Sequence, residues 1–272
     1  MTEQIVDGGS VPTGVLLVNL GTPESPSPAD VRRYLKEFLW DSRVVELPRP
    51  LWWLVLNLVI LNTRPRRSAR AYAKVWTEEG SPLMVISRQQ HAALQAALEQ
   101  QPGAPVKVVL AMRYGKPSIA AGMQELRAAG VKRLLVLPLY PQYSATTTAA
   151  IVDAVADELR RWRVLPELRF INDYHEHPSY IEALADSVRR YQAVHGEPDR
   201  LLLSFHGIPQ DYVDAGDPYA TQCYRTAALL VQALDLPEDR WQLSFQSRLG
   251  PKQWLQPYTD HTLKSLGEKG VK

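Results

Sequence analysis

Short apolar runs alternate with longer amphipathic stretches along the chain. Val15–Asn19 (VLLVN) is a continuous apolar run, which is typical of a strand covered on both faces. Comparable runs follow at Val106–Ala111, Leu134–Leu139, Leu168–Ile171, Leu201–Phe205 and Leu243–Phe245. The stretches between them that predict helices are Ser27–Trp40, Ser87–Gln101, Pro117–Ala129, Thr146–Trp162, Pro178–His195, Pro218–Leu234 and Pro251–Leu266. This alternation predicts an α/β fold with parallel sheets built from βαβ units.

The two halves of the chain share a pattern. Val106–Tyr140 runs through a strand, Arg-X-Gly, a helix that starts near a proline, and Gly-Val-Lys, and Trp241–Lys272 repeats that order. Val15–Pro23 (VLLVNLGTP) and Leu201–Pro209 (LLLSFHGIP) are likewise strands that open onto a Gly-X-Pro turn. Duplication of one unit would produce this repeat, and so would the shared physics of parallel α/β units. Under either interpretation a further strand is due where the second copy ends.

Length, composition and charge exclude several classes of protein. The chain has 272 residues, is 45% apolar and carries a net charge of +2, so neither a disordered chain nor a strongly basic nucleic-acid-binding protein is expected. Its one cysteine, Cys223, excludes a disulfide scaffold or a zinc ribbon within the chain. Met1–Gly9 has no apolar core of a signal peptide, and no apolar run approaches the ~20 residues that span a bilayer. We therefore expect a cytoplasmic protein of two lobes, 13–163 and 164–272.

A histidine stands at the end of one predicted strand. Leu201–Phe205 leads into His206, and Gly207 and Pro209 turn the chain sharply after it. Ligands of open parallel sheets bind just beyond the carboxyl ends of the strands. A neutral imidazole there can bind a divalent metal or accept a proton. A purely structural hydrogen bond is the alternative, but the position favours a functional role.

Two other strand ends carry candidate binding residues. Arg113 and Tyr114 follow Val106–Ala111, where the arginine could hold an acidic substrate group and the tyrosine could pack on a flat ring. An arginine stem packed over the strand end fits Arg113 equally well. Leu137–Thr148 holds two tyrosines before a run of threonines, and its composition favours a rigid turn and a helix cap.

Two histidines flank a glutamate before Pro178. His175 and His177 could bind a metal ion together, because they lie two positions apart on either side of Glu176. The same spacing at a helix start suits helix capping, and capping is the favoured interpretation.

An apolar segment is followed by a cluster of arginines. Leu51–Leu61 (LWWLVLNLVIL) is apolar except for Asn57, and 62–70 then carries four arginines and no acid. Paired tryptophans beside arginines suit a segment in a membrane interface, or the lip of an apolar pocket whose arginines meet ligand carboxylates. A buried core helix is the weaker alternative. No G-x-G-x-x-G, P-loop, H-E-x-x-H or G-x-S-x-G motif is present, which disfavours nucleotide cofactors and serine hydrolysis.

At these residues the chain resembles the ferrochelatase family, whose members insert ferrous iron into a porphyrin at the end of haem synthesis. The resemblance runs from about Gly14 to Lys272 and is most specific in Leu201–Tyr219 (LLLSFHGIPQDYVDAGDPY). Further segments agree in the family order, namely Val18–Pro23, Gly80–Pro82, Arg113–Tyr114, Tyr140–Tyr143 and Gln246–Trp254. The resemblance implies a chelatase-like fold of two similar Rossmann-type lobes, with helices on both faces of parallel sheets and the porphyrin in the cleft.

The resemblance also implies roles for particular residues. His206 would be catalytic, taking pyrrole protons or binding the incoming iron, and His177 matches a histidine considered functional in some relatives. Leu20 would lie over the opposite porphyrin face, where relatives carry Tyr or Met, which favours protoporphyrin IX over coproporphyrin. The other porphyrin-binding residues would be Arg64, Tyr72, Ser81, Arg113, Tyr114 and Trp254. Segment 51–70 matches the pocket lip, which touches the membrane in some members and implies peripheral contact with the inner membrane face.

The family pattern continues past the position of Lys272 with a segment that supplies a glutamate facing the strand-end histidine. We therefore expect the C-terminal lobe to be incomplete at its end, and the missing glutamate to compromise the activity of this chain. Relatives that bind a cluster use several cysteines, mostly in that segment, so with Cys223 alone no iron–sulfur cluster is expected.

The resemblance predicts a lyase with a porphyrin and ferrous iron as substrates, without a permanently bound cofactor and without nucleic acid as a partner; it predicts no particular oligomeric state. Two alternatives stay open. One is a porphyrin- or haem-binding module without insertion activity, and the other is a chelatase for another metal or tetrapyrrole.

Overall fold

The computed structural model describes residues 11–103, 105–248 and 250–271. Within these residues the chain forms two compact units, one of residues 11–140 and 145–172 and one of residues 141–144 and 173–271. The first unit extends past the predicted boundary at residue 163 because strand Glu167–Phe170 pairs with a strand of the first sheet.

Four parallel strands of the described residues form the sheet of the first unit. They are β1 (Thr13–Gly21), β2 (Val106–Tyr114), β3 (Arg133–Pro138) and β4 (Glu167–Phe170), in the order β2-β1-β3-β4. The register pairs Leu17 with Leu110 on one side and with Leu137 on the other. The predicted parallel α/β sheet is therefore confirmed, with β1 at its centre.

The alternation of side chains along β1 explains why its sequence is continuously apolar. Leu16 and Val18 face one core, and Val15 and Leu17 face another on the opposite side of the sheet. Helices cover both faces, since Met123 packs in the first core and Leu94 against the second. The helices of the first unit are α1 (Pro28–Trp40), α2 (Arg49–Leu54), α3 (Leu61–Val75), α4 (Pro82–Glu99), α5 (Ile119–Ala128) and α6 (Ala150–Leu159).

The described part of the second unit is built on two parallel strands, β5 (Leu201–His206) and β6 (Trp241–Gln246). Its helices are α7 (Pro178–His195), α8 (Gln210–Asp214), α9 (Tyr219–Ala233) and α10 (Thr259–Glu268). Cys223 and Ala227 of α9 pack on Leu243 and Phe245 of β6 to form the core of this unit.

The repeat seen in the sequence is present in the backbone of both units. The N–H of Met112 in β2 bonds to the carbonyl of Pro117 at 2.7 Å, and that of Phe245 in β6 bonds to the carbonyl of Pro257 at 2.8 Å. The following helices, α5 and α10, each have 10 residues. Each helix is followed by its C-cap residue and then by a glycine of positive φ, 74° at Gly130 and 71° at Gly270. The two units therefore share one strand–turn–helix arrangement.

The largest differences between predicted and observed helix starts are at α4 and α10. Helix α4 begins at Pro82 instead of Ser87, since Ser81 and Pro82 supply the extended N-cap and the first-turn proline. Helix α10 begins at Thr259 instead of Pro251, because the preceding segment pairs with the turn after β5. In that pairing Leu255 donates to the Ile208 carbonyl at 3.0 Å. Backbone groups used in this way cannot also form helical bonds.

The apolar segment Leu51–Leu61 lies on a continuous helical stretch in which α2 and α3 are joined by a π-helical part, Val55–Ile60. One side is buried against α1, with Trp52, Leu56 and Leu61 in the core. The other side is exposed, and Leu58 retains 63% of its accessible surface. A buried core helix therefore describes only half of the segment.

Candidate functional site

His206 is exposed at the carboxyl end of β5, where the sequence predicted a functional histidine. Its Nδ1 atom lies 2.7 Å from the carbonyl oxygen of Gly207. A carbonyl oxygen only accepts hydrogen bonds, so Nδ1 carries the proton of the neutral ring. The other ring nitrogen, Nε2, is left with its lone pair, and this is the state needed to accept a proton or bind a metal.

Gly207 allows the chain to pass close to its neighbours just after the histidine. A Cβ at this position would lie 3.0 Å from the Gln246 carbonyl oxygen and 3.4 Å from the ring of Trp254. The Gly207 N–H bonds to that same carbonyl at 2.7 Å, which ties the end of β5 to the end of β6. The structure thus brings two predicted site residues of the second unit, His206 and Trp254, to the same turn.

The His175-Glu-His177 motif serves the start of α7. The Nδ1 atom of His177 accepts the N–H of Ser179 at 3.3 Å, and His177 is the N-cap of the helix. His175 is paired with Asp173, at 2.8 Å between Nδ1 and Oδ1. The favoured interpretation of this motif as a helix cap is confirmed for His177.

In the first unit, Arg113 and Tyr114 are the last two residues of β2, whereas the sequence predicted that they follow the strand. Tyr114 is only 1% exposed, so its ring presents almost no surface on which a flat ligand could pack. The surroundings of Arg113 differ from both sequence interpretations. Arg113 forms an ion pair with Asp41, the residue that ends α1, and the Tyr114 hydroxyl donates to the same carboxylate oxygen at 2.8 Å. The side chain of Asp41 is only 6% exposed. Arg113 therefore has a counterion inside the protein, a possibility that neither the substrate-carboxylate nor the packed-stem interpretation included.

Leu20 and His206 occupy equivalent positions in the two units. Met112 and Phe245 are equivalent because each donates to the carbonyl of the proline before the next helix. Their partners on the neighbouring strands are Asn19 and Phe205, so the next residues along β1 and β5 are Leu20 and His206. The alignment of residues 20–23 (LGTP) with residues 206–209 (HGIP) in the sequence repeat predicts the same pairing of Leu20 with His206.

The remaining predicted porphyrin-binding residues lie on α3 and at the start of α4 in the first unit. Ser81, before α4, is buried, and its Oγ accepts the Thr22 hydroxyl at 2.9 Å. Tyr72 of α3 is half-buried and shares a hydrogen bond with Tyr34 of α1. Arg64 is exposed on α3. The structure thus gives Ser81 and Tyr72 partners in the protein and leaves Arg64 at the surface.

The sequence did not indicate a role for Asp41 in the candidate site. The composition of the turn that begins at Tyr140 favoured a purely structural role. The Tyr140 hydroxyl and the Nε atom of Arg113 are both buried, and neither has a hydrogen-bond partner among the described residues. Burial raises the pKa of Tyr140, and the neighbouring Arg113 charge lowers it. The residues around Tyr140 in the sequence gave no indication that it lies near Arg113, because that proximity arises only in the folded chain.

The described residues contain neither a cluster of metal-binding side chains nor a membrane-spanning helix. Among residues 11–103, 105–248 and 250–271, no three His, Cys, Asp or Glu side chains lie together so as to hold a metal ion. Within the same residues, no helix has the length and apolar character needed to cross a membrane.

The chain was compared with known families, curated proteins and solved structures. The family model described as Ferrochelatase matches residues 12–272. The ferrochelatase of Thioalkalivibrio sulfidiphilus is 57% identical over 94% of this chain and 69% of that relative. Those of Aromatoleum aromaticum and Aeromonas hydrophila are 55% and 54% identical, over 95% and 96% of this chain and 71% and 80% of the relatives.

Among solved structures, SirB from Bacillus subtilis with Fe3+ matches with a TM-score of 0.50 and 14% identity, over 94% of this chain and 71% of SirB. This likeness concerns the fold alone and agrees with the predicted chelatase-like architecture. The family model covers nearly all of the chain, and the relatives exceed half identity, so the chain belongs to the ferrochelatase family.

Proposed function

We propose that the protein inserts ferrous iron into a porphyrin, with protoporphyrin IX as the substrate, and so completes haem synthesis. The observation that carries this proposal is the bond from Nδ1 of His206 to the Gly207 carbonyl, which leaves Nε2 as an exposed base. A free-base porphyrin loses two pyrrole protons as Fe(II) enters, so that charge balances and a base is needed beside the macrocycle. His206 supplies that base.

Iron enters the reaction as a substrate and leaves it within the product. Imidazole nitrogen is a suitable ligand for Fe(II) during the exchange of its water molecules for pyrrole nitrogens. Cys223 contributes no ligand in this proposal, because it is buried in the core and burial raises the pKa of its thiol to about 12. An iron–sulfur cluster would also need several cysteines, and the chain has one.

Each unit, considered by itself, carries residues to which the family resemblance assigns porphyrin binding. Leu20 and the side chain of Arg113 would contact the flat ring in the first unit, and Trp254 would do so beside His206 in the second. Tyr114 is only 1% exposed, so in this proposal it supports Arg113 from behind, with its ring centre 4.6 Å from the guanidinium carbon. Polar groups for the ring edge and its carboxylates come from Arg64, Tyr72 and Ser81. His177 is assigned a supporting catalytic role on family resemblance, beside its observed function as the cap of α7.

The proposal predicts haem formation when the protein meets ferrous iron and protoporphyrin IX without oxygen. The protein is best purified after expression of its gene from its own chromosomal locus, so that it is made at its natural length. Porphyrin binding is followed by fluorescence, and metal insertion by the absorption spectrum of haem. Binding without insertion would instead identify a porphyrin- or haem-binding module. Turnover confined to cobalt, or to a different tetrapyrrole, would identify another chelatase.

We further propose that segment 51–70 touches the inner face of the membrane while the rest of the chain lies in the cytoplasm. The exposed side of this segment is apolar, with Leu51, Trp53, Leu54, Leu58 and Val59 each about half exposed or more. The next turns of α3 carry Arg64, Arg66, Arg67 and Arg70, and none forms an ion pair within the described part of the chain. Apolar side chains beside unpaired arginines match the acyl boundary and the anionic headgroups of a membrane surface.

Three uncharged polar side chains of this segment bond to its own backbone. The side-chain amides of Asn57 and Asn62 and the hydroxyl of Thr63 donate to carbonyls one helical turn earlier, at 2.9–3.0 Å. Such bonds reduce the cost of placing the segment in an apolar medium, where an unsatisfied carbonyl is expensive.

Replacing Trp53 and Leu58 by serine is expected to lower binding to anionic vesicles at least about tenfold, because two large apolar contacts with the bilayer are lost. Sedimentation with liposomes measures the bound fraction. The control is Val194→Ser, which removes an even more exposed apolar side chain from α7 in the other unit. Equal loss in the control, or no loss in the double variant, would contradict membrane contact through this segment.

A further inference from the structure

The ion pair between Asp41 and Arg113 is nearly closed to solvent. The side chain of Arg113 is 18% exposed and that of Asp41 is 6% exposed. Besides Arg113, the carboxylate accepts the Tyr114 hydroxyl and the backbone N–H of Arg43, each at 2.8 Å. Both carboxylate oxygens are therefore occupied by donors from within the protein.

The guanidinium of Arg113 is also held against an aromatic face. Its central carbon lies 4.6 Å from the ring centre of Tyr114, whose other neighbour is Phe38 in an edge-to-face contact at 5.1 Å. The pair Asp41–Arg113 is thus set among aromatic rings and carries no net charge. We call Asp41, Arg113 and Tyr114 together the wall. The Nε atom of Arg113 and the Tyr140 hydroxyl remain without a partner in the described residues, and both can donate only single hydrogen bonds.

We propose that Asp41 is a positioning residue that sets the charge of this wall. By neutralising Arg113, it makes the wall suited to the uncharged macrocycle of a porphyrin instead of to one of its carboxylates. A carboxylate of the substrate would have to displace Asp41 from a site in which three protein donors already bind it. This inference rests on the proposed function, because it requires that the partly exposed side chain of Arg113 lies beside a bound porphyrin, with the buried Tyr114 behind it.

The consequence is a preference among porphyrins according to their charge. An arginine without a counterion would attract additional carboxylates, whereas a neutral ion pair gives them no such advantage. The wall therefore favours porphyrins that present apolar edge at this place. Removing one member of the pair should shift that preference in a direction set by the charge that is left.

Three substitutions test the sign of this effect. Asp41→Asn keeps the size of the side chain and leaves Arg113 positive, so the affinity for a tetracarboxylate porphyrin relative to a porphyrin diester should rise about tenfold. Arg113→Gln leaves the Asp41 charge, so the same ratio should fall by a similar factor. The double variant removes both charges and should return the ratio to its wild-type value. Fluorescence titration of the diester, the diacid and the tetraacid at low salt measures the three affinities.

Controls separate this role from a purely structural one. Asp153→Asn removes the partner of Arg43, a half-exposed pair of the same unit with 2.7 Å between the bonded atoms, and should leave the ratio unchanged. Equal weakening of all three porphyrins in Asp41→Asn, or an unchanged ratio in both single variants, would overturn the proposal. If the wild-type protein binds none of the three porphyrins, the proposed function itself fails. High salt should reduce the shifts, because it screens the uncompensated charge.

Discussion

Replacing His206 by alanine is expected to reduce iron insertion at least about a hundredfold, while porphyrin binding stays close to that of the wild type. The substitution removes the exposed Nε2 lone pair, so the pyrrole protons lose their acceptor and the iron loses a ligand. The ring contributes little to the core, since His206 is exposed at the end of β5. His206→Gln should behave in the same way, because an amide can form hydrogen bonds but is no base.

The measurement is made on variants introduced at the chromosomal gene, so that every protein has its natural length. Cells should accumulate free porphyrin and lose haem, and the purified variant should still quench porphyrin fluorescence. His195→Ala is the matched control, because this histidine lies at the end of α7 and its ring packs 4.2 Å from that of Tyr191. Retained turnover in His206→Ala would exclude the role assigned to this histidine.

Replacing Gly21 by alanine is expected to destabilise the protein by at least about 4 kcal/mol, or to prevent folding. The new Cβ would lie 1.8 Å from the Tyr114 carbonyl oxygen, far inside the contact distance of the two atoms. Gly21 and Tyr114 are partners in the register of β1 and β2, so the clash could be relieved only by separating the two strands. The φ angle of 108° adds strain, because L side chains rarely adopt it.

Urea unfolding of Gly21→Ala and Gly80→Ala separates the clash from the strain. Gly80 has nearly the same φ, 115°, but a Cβ there would meet nothing within 4 Å. We expect Gly80→Ala to cost only the conformational strain, about 1–3 kcal/mol. Similar losses of stability in the two variants would mean that the ends of β1 and β2 can separate at little cost. The close approach of Gly21 to the Tyr114 carbonyl would then contribute little to stability.

Most of the fold could be predicted because its signals are local. The apolar run of β1 indicated a strand covered on both faces, and the structure has helices on both sides of it. Helix α1 begins at Pro28 after its Ser27 cap, as the first-turn signals predicted. The start of α10 was misplaced because Pro251 resembles a helix start, whereas the fold uses the following residues to pair with the turn after β5.

The residues of the candidate site also differ in whether local sequence signals identify them. His206 could be identified from one segment, because a strand, a histidine and a Gly-X-Pro turn are consecutive in the sequence. Asp41 could not, since it meets Arg113 across 72 positions of the chain. An aspartate at the end of a helix is common, and nothing near Asp41 in the sequence indicates a buried ion pair.

By itself, the sequence determined the alternation of strands and helices, the parallel sheets, the repeated strand–turn–helix unit and the place of His206. Each of these depends on hydrophobic period, turn residues or adjacency along the chain. Only the tertiary structure decided which side of Leu51–Leu61 is exposed, that Gly21 must lack a side chain, and that Arg113 is neutralised by Asp41. Those properties depend on distances between residues far apart in sequence, which exist only once the first unit has packed.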